Sequence, residues 1–125
     1  MSLNLPMVES RYPDQFPTYD ISQFLVNGVK AFGPGSVTAT VEPNHVSWDI
    51  RLDTSQITDP DNRYFFQNLP ADLMPGVSTA RIALHGTVAA QVQWNASWRF
   101  MQIYSARLND RGSLSFEART LRRPA

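Results

Sequence analysis

The chain has 125 residues, the size of a single domain that can bury a substantial core without metals or disulfides. Hydrophobic residues make up 42% and charged residues 18%, a balance that excludes a disordered or highly charged protein. The formal net charge is zero and cysteine is absent, so a thiolate zinc site and a cysteine nucleophile are excluded as well.

The N-terminal segment, residues 1–19, shows no sustained hydrophobic period, and its three prolines favour an extended backbone. It is nevertheless too apolar for a solvated tail. We therefore predict an extended arm over residues 1–19, followed by a β domain over residues 20–125. The arm lies either on its own domain or on a neighbouring chain. On a neighbouring chain, its anchors are the large apolar residues Leu3, Leu5, Met7, Tyr12 and Phe16.

The segment after the arm admits two interpretations. Asp20 and Gln23 resemble a capping box, which favours a short helical turn over residues 21–26 and a strand near residues 29–32. The pair Asn27-Gly28 is also the favoured two-residue turn of a β-hairpin. We favour the helical turn.

Four later segments alternate apolar and polar residues, which is the pattern of half-buried strands. They are residues 36–42, 45–53, 80–86 and 113–121. The first two flank a Pro-Asn turn and predict a hairpin. Residues 54–79 are weakly patterned and predict a long loop anchored to the core by Tyr64, Phe65 and Phe66.

Residues 87–104 contain neither glycine nor proline. At about 3.3 Å per residue they would make an overlong strand, so we predict a break near Asn95-Ala96 or a bulge beyond Phe100. The apolar positions that alternate with polar ones in this segment include three aromatic residues, Trp94, Trp98 and Phe100. Trp48 likewise occupies an apolar position of the alternation in residues 45–53. We predict that all four belong to the core and that at least one tryptophan lies at a sheet-to-sheet or subunit contact.

These elements predict an all-β fold of six to eight short strands. The expected architecture is an antiparallel β-sandwich, or a jelly-roll-like variant, with an extended N-terminal arm and at most one short helical turn.

Patterns of catalytic and cofactor-binding residues are absent from the sequence. His45 and His85 stand far apart and without metal-ligand spacing, so we expect neither a metal nor a cofactor. No serine lies in a Gly-x-Ser-x-Gly elbow. Asp49 and Asp53 project from the polar face of a strand, where solvated carboxylates belong. We expect a protein that is not an enzyme, and a small hydrolase is the least favoured class.

Charge is divided unevenly along the chain. Residues 1–80 carry nine acidic and four basic residues, a balance of −5, whereas residues 81–125 carry seven arginines and two acidic residues, a balance of +5. The two halves either neutralise each other within one sheet system or align neighbouring copies head to tail. Scattered arginines at zero net charge argue against nucleic acid. No apolar run is long enough to span a bilayer, so membrane insertion is not expected.

The stretches G-T-V-A-A-Q-V-Q-W-N-A-S-W-R-F and N-D-R-G-S-L-S-F-E-A-R-T-L, within residues 80–121, resemble small β-sandwich proteins of tailed bacteriophage virions. Those proteins serve as head-decoration, fibre or adhesin modules, and many are trimeric. The resemblance assigns no functional residue. A second stretch, Y-D-I-S-Q-F-L-V-N-G-V-K-A-F, is similar to a structural segment of galactose-binding-like jelly rolls.

The virion resemblance implies a structural protein of the capsid-decoration, tail or fibre type. Its expected partners are copies of itself, in a homotrimer, and the major capsid or tail protein of the particle. The expected location is the virion, after synthesis in the host cytoplasm, since the N-terminus lacks the features of a secretory signal. The rival is a carbohydrate-binding module that presents Tyr64, Phe65 and Phe66 to a host-surface glycan.

Overall fold

A computed structural model of the chain describes residues 4–8 and 16–123. Over these residues it has three single 3-10 turns, at Ser22–Phe24, Ala71–Leu73 and Leu108–Asp110. It has ten strands, which are, in chain order, β1 (Met7–Val8), β2 (Thr18–Asp20), β3 (Lys30–Ala31), β4 (Val37–Val41), β5 (His45–Asp53), β6 (Tyr64–Phe66), β7 (Thr79–His85), β8 (Val88–Asn95), β9 (Phe100–Tyr104) and β10 (Ser113–Leu121).

The described strands form one antiparallel sheet. Their order is β1-β2-β4-β5-β10-β7-β8-β9-β6, and β3 pairs with the end of β5. The sheet curls into a half-barrel, so that its first five and last four strands face each other like the layers of a sandwich. The predicted all-β, antiparallel, sandwich-like fold is confirmed. The 3-10 turn at Ser22–Phe24 lies within the helical turn predicted over residues 21–26. Two further 3-10 turns exceed the expected maximum of one, because a turn of three residues is too short to leave a periodic signal.

The central strands form where the alternation is strongest. β5 and β10 pair in register over their full length and bury one side chain in two. Both strands have the bounds that the alternation predicts. The weakly patterned segment 54–79 contains β6 and a 3-10 turn that the sequence did not reveal.

The segment between β2 and β3 carries the chain across the sandwich. The Asp20 carboxylate accepts hydrogen bonds from the backbone N–H and hydroxyl of Ser22, at 2.8 and 2.7 Å, and starts the first 3-10 turn. Residues 24–26 then bond to β6, with Val26 N–H donating to Phe65 O at 3.2 Å. Asn27-Gly28 turns the chain back with φ angles of 64° and 74°, which Asn and Gly tolerate best. The segment therefore contains a short helical turn, as the first interpretation predicts, and a tight turn at Asn27-Gly28, as the second predicts.

Aromatic side chains join the two layers. Trp48 on β5 and Trp94 on β8 meet edge to face, with ring centroids 5.5 Å apart, and Trp94 meets Phe116 on β10 at 5.7 Å. The Trp48 indole N–H donates to the Thr120 hydroxyl at 2.9 Å. The expected burial of Trp48 and Trp94 is confirmed.

The described part of the arm lies on its own domain. β1 pairs with β2 at the edge of the sheet, and β2 begins inside the segment predicted to be arm. Leu5 is half-buried against the core, Phe16 is half-buried, and Met7 is exposed. The other predicted anchors, Leu3 and Tyr12, lie outside the described residues.

Candidate functional site

The turn between β8 and β9 presents the most exposed of the large apolar side chains that the structure describes. Trp98 is 75% exposed there. Asn95 organises the turn, because its side-chain oxygen accepts from Trp98 N–H at 3.0 Å and its carbonyl accepts from Arg99 N–H at 2.9 Å. Arg99 adopts φ 57°, in the left-handed region that disfavours most side chains. The turn is therefore a defined projection, with Trp98 at its tip.

The prediction that Trp98 is buried was wrong. Parity along β8 holds only to Asn95, where the strand ends, and the four turn residues 96–99 do not alternate across a sheet. The predicted break near Asn95-Ala96 is confirmed. A signal for the turn was available in Asn95, a residue type that caps turns with its side chain.

The prediction that Phe100 belongs to the core was also wrong. β9 begins at Phe100, which pairs with Asn95 and lies on the outer face of the sheet. The buried inner positions of β9 are therefore Met101 and Ile103. Phe100 is half-buried against Tyr64, with ring centroids 4.4 Å apart.

Further apolar side chains are exposed at the same end of the sandwich, together with arginines. Val77 is 74% exposed just before β7, and Leu121 is 66% exposed at the end of β10. Two contacts tie these segments to the turn: the Ser78 hydroxyl accepts from Ala96 N–H at 3.3 Å, and Arg123 donates to Ala96 O at 3.2 Å. We call this end, defined by Val77, Trp98, Arg99, Leu121 and Arg123, the basic end.

The sheet opens between β10 and β7. β10 pairs with β5 along its whole length but with β7 at only two positions, Leu114↔His85 and Ser115↔Leu84. Beyond these pairs the Arg81 guanidinium bridges the strands, donating to Ala80 O at 2.9 Å and to Arg119 O at 3.4 Å. A charged side chain at the edge of a strand disfavours further strand pairing there.

A groove of about 400 Å³ follows this opening on the outer face of the sheet. One wall carries the exposed side chains of Ile82 and Leu84. The other carries Asp49 and Glu117, which lie directly opposite each other on β5 and β10. Like charges in this position repel, and neither carboxylate has a salt-bridge partner among the described residues. Exposed Arg51 also lines this wall, so the groove carries a net charge of −1.

Two carboxylates have pKa values below their ordinary range. Hydrogen bonds from Arg119 and then Ser47 lower the pKa of Glu42, and Arg119 lies 2.8 Å away. Hydrogen bonds from the Ser55 hydroxyl and backbone N–H lower the pKa of Asp53. These shifts favour the ionised form, so neither group is arranged as a proton donor at neutral pH.

No arrangement for a metal is present in residues 4–8 and 16–123, where no cluster of three or more His, Asp or Glu side chains occurs. His85 is buried, and its Nε2 lies 3.1 Å from Leu108 O, which can only accept, so that nitrogen carries the proton. This contact holds the 3-10 turn before β10 in place. No helix in the same described ranges is long and apolar enough to cross a membrane.

The loop aromatics do not form the sugar platform that the rival function requires. Phe65 and Phe66 are fully buried, and Tyr64 is half-buried against Phe100. A buried ring cannot stack on a sugar. They serve instead as the expected anchors of the loop.

No family model matches the chain, and no curated protein or solved structure is significantly similar to it. The surfaces that the fold exposes therefore carry the functional argument.

Proposed function

We propose that this chain is a non-enzymatic structural subunit of a virion, which assembles with copies of itself and docks on a larger particle as a capsid-decoration, tail or fibre component. The observation that carries self-assembly is the exposure of Trp98 beside Val77 and Leu121 at one end of the sandwich. Large exposed apolar groups concentrated in one place are typical of protein contacts. Trp and Arg are also the side chains that dominate binding energy at interfaces.

The outer face of the second layer adds to this support. Ile82 and Leu84 on β7, which line the groove, and Tyr104 on β9, which lies away from it, are exposed large apolar residues. A chain that had only to remain monomeric would gain solubility from polar residues at these positions. The virion class is supported by the resemblance of residues 80–121 to small virion sandwiches.

Attachment to the particle is assigned to the N-terminal arm in this proposal. Within the described part, Met7 is free for such a contact, whereas Leu5 packs on its own core. Deleting residues 2–17 tests the assignment. Loss of particle incorporation with an unchanged melting temperature supports it, and a truncated chain that unfolds contradicts it.

Multi-angle light scattering at tens of micromolar protein tests self-assembly. The trimer has three times the chain mass of 14.1 kDa. A monomer at that concentration contradicts the proposal. A glycan array on the same sample tests the rival: specific sugar binding by a monomer would favour a carbohydrate-binding module.

A further inference from the structure

We infer that the β8–β9 turn of one copy docks in the groove between β7 and β10 of the next copy. This inference rests on the proposed self-assembly and names the two surfaces that meet. The turn supplies Trp98 and Arg99. The groove supplies Ile82 and Leu84 as its apolar wall, with Asp49 and Glu117 as its acidic wall.

The turn is built to project rather than to pack. Asn95 holds it with two hydrogen bonds, and Trp98 remains largely in solvent. Arg99 occupies a left-handed position where glycine or asparagine would be less strained. Its guanidinium has no carboxylate partner among the described residues. A strained backbone that presents an unpaired cation beside an exposed indole is explained if both side chains bind something outside their own chain.

The groove has the complementary chemistry. Its exposed aliphatic wall accepts an aromatic ring, and its volume of about 400 Å³ lies within the range of ligand-sized clefts. Its acidic wall places two carboxylates opposite each other without a cation at salt-bridge distance among the described residues. An arginine from outside relieves that repulsion and donates to both carboxylates. Arg51 at the same wall reduces the charge without removing the repulsion, because it bonds to neither carboxylate.

The occupant is therefore a second copy of this chain. Each copy carries one projecting turn and one groove at different places on its surface. A contact between two different patches is head to tail, and it closes into a ring when the rotation permits. The groove carries a net charge of −1 and the turn carries Arg99, so the charges of the two surfaces are complementary.

Charge reversal on each side tests the contact, with association followed by light scattering and sedimentation. Arg99→Glu places a third carboxylate at the acidic wall, and Glu117→Arg places a guanidinium opposite Arg99. We expect each variant to weaken association at least about tenfold. Glu117→Arg removes the repulsion with Asp49 but adds a guanidinium to the wall that already carries Arg51, so the fold of this variant is verified separately.

The double variant Arg99→Glu/Glu117→Arg exchanges the two charges across the contact. We expect it to recover most of the association lost by the single variants. Phe32→Ala is the matched control, because Phe32 is an exposed aromatic residue that belongs to neither surface, and we expect it to keep the wild-type mass. Circular dichroism on every variant verifies the fold.

The outcomes separate this inference from the proposed function. If wild type is an oligomer and both single variants keep its mass, the contact lies elsewhere and only the inference is overturned. If the single variants are monomeric but the double variant does not recover, the side chains do not meet and the inference is again overturned. A monomeric wild type overturns self-assembly itself, and this contact with it.

Discussion

Trp94 and Trp98 stand four residues apart in one alternating stretch, yet they occupy opposite environments. Trp94 is fully buried between the two layers, in edge contact with Trp48 and Phe116, whereas Trp98 is 75% exposed. Between them the strand ends, and a turn held by Asn95 begins. Alternation in sequence therefore predicts burial only as far as the strand remains paired with its neighbour. Beyond that point, an identical side chain is available for a different role.

Replacing each of these tryptophans by alanine should change the free energy of unfolding by very different amounts. Trp94→Ala should lower the free energy of unfolding by about 3–5 kcal/mol, because it opens a cavity in the core. Trp98→Ala should change it by less than about 0.5 kcal/mol in the monomer. Urea unfolding at a concentration where the chain is monomeric measures both. Similar losses for the two variants would mean that the turn packs into the fold.

The two buried tryptophans differ in whether their indole N–H groups are hydrogen-bonded. The Trp48 indole N–H donates to the Thr120 hydroxyl, whereas Trp94 Nε1 has no partner among the described residues. Thr120→Val keeps the shape but leaves a buried donor unpaired, which should cost about 1–3 kcal/mol of unfolding free energy. Thr120→Ser retains the hydroxyl and is the control. A Thr120→Val variant as stable as wild type would show that the hydrogen bond contributes nothing.

A third prediction concerns the ion pair that anchors β10 near the basic end. Glu42 accepts hydrogen bonds from Arg119 and Ser47, and its pKa in the folded state is lowered below the ordinary 4.5. The stabilisation is therefore present above about pH 4.5 and is lost as the pH falls through the lowered value. Glu42→Gln should cost about 1 kcal/mol at pH 7 and almost nothing at pH 2.

Chemical unfolding across that pH range is the measurement for Glu42. The lowered pKa of Asp53 also makes the free energy of unfolding depend on pH, in wild type and variant alike. The test is therefore the difference in unfolding free energy between the two proteins at each pH. A variant whose stability follows the wild-type curve in parallel at every pH would contradict the assigned ion pair.

The smallest expected effect has the opposite sign. Arg99→Gly relieves a left-handed backbone at φ 57° and should stabilise the monomer by about 0.5–1 kcal/mol. If the inferred contact exists, the same change weakens association, because the guanidinium is lost. Arg63→Gly is the control, because Arg63 does not have a positive φ angle, and this variant should not raise the free energy of unfolding. Stronger association of Arg99→Gly would contradict the role given to this side chain.

Much of the fold was predictable because its central strands alternate strictly. The bounds of β5 and β10 follow from their parity, and the break after Asn95 follows from the length limit of a strand. β6 was missed because three residues are too few to show a period. The 3-10 turns at Ala71–Leu73 and Leu108–Asp110 escaped for the same reason.

The candidate site was not predictable at the same level. The groove exists because β10 leaves β7 after two residue pairs, and that divergence depends on packing between segments distant in sequence. The opposition of Asp49 and Glu117 depends on the register of β5 against β10, which no local pattern reports. The exposure of Trp98 was missed because the alternation was extended past the predicted break, into turn residues that do not alternate across a sheet.

In the proposed assembly, Trp98 makes contacts between copies rather than within the core. The solution masses of wild type and Trp98→Ala, measured side by side at tens of micromolar, test this role. We expect an oligomer for wild type, close to three times 14.1 kDa, and a folded protein of lower mass for the variant. A folded variant that keeps the wild-type mass would show that Trp98 makes no contact between copies.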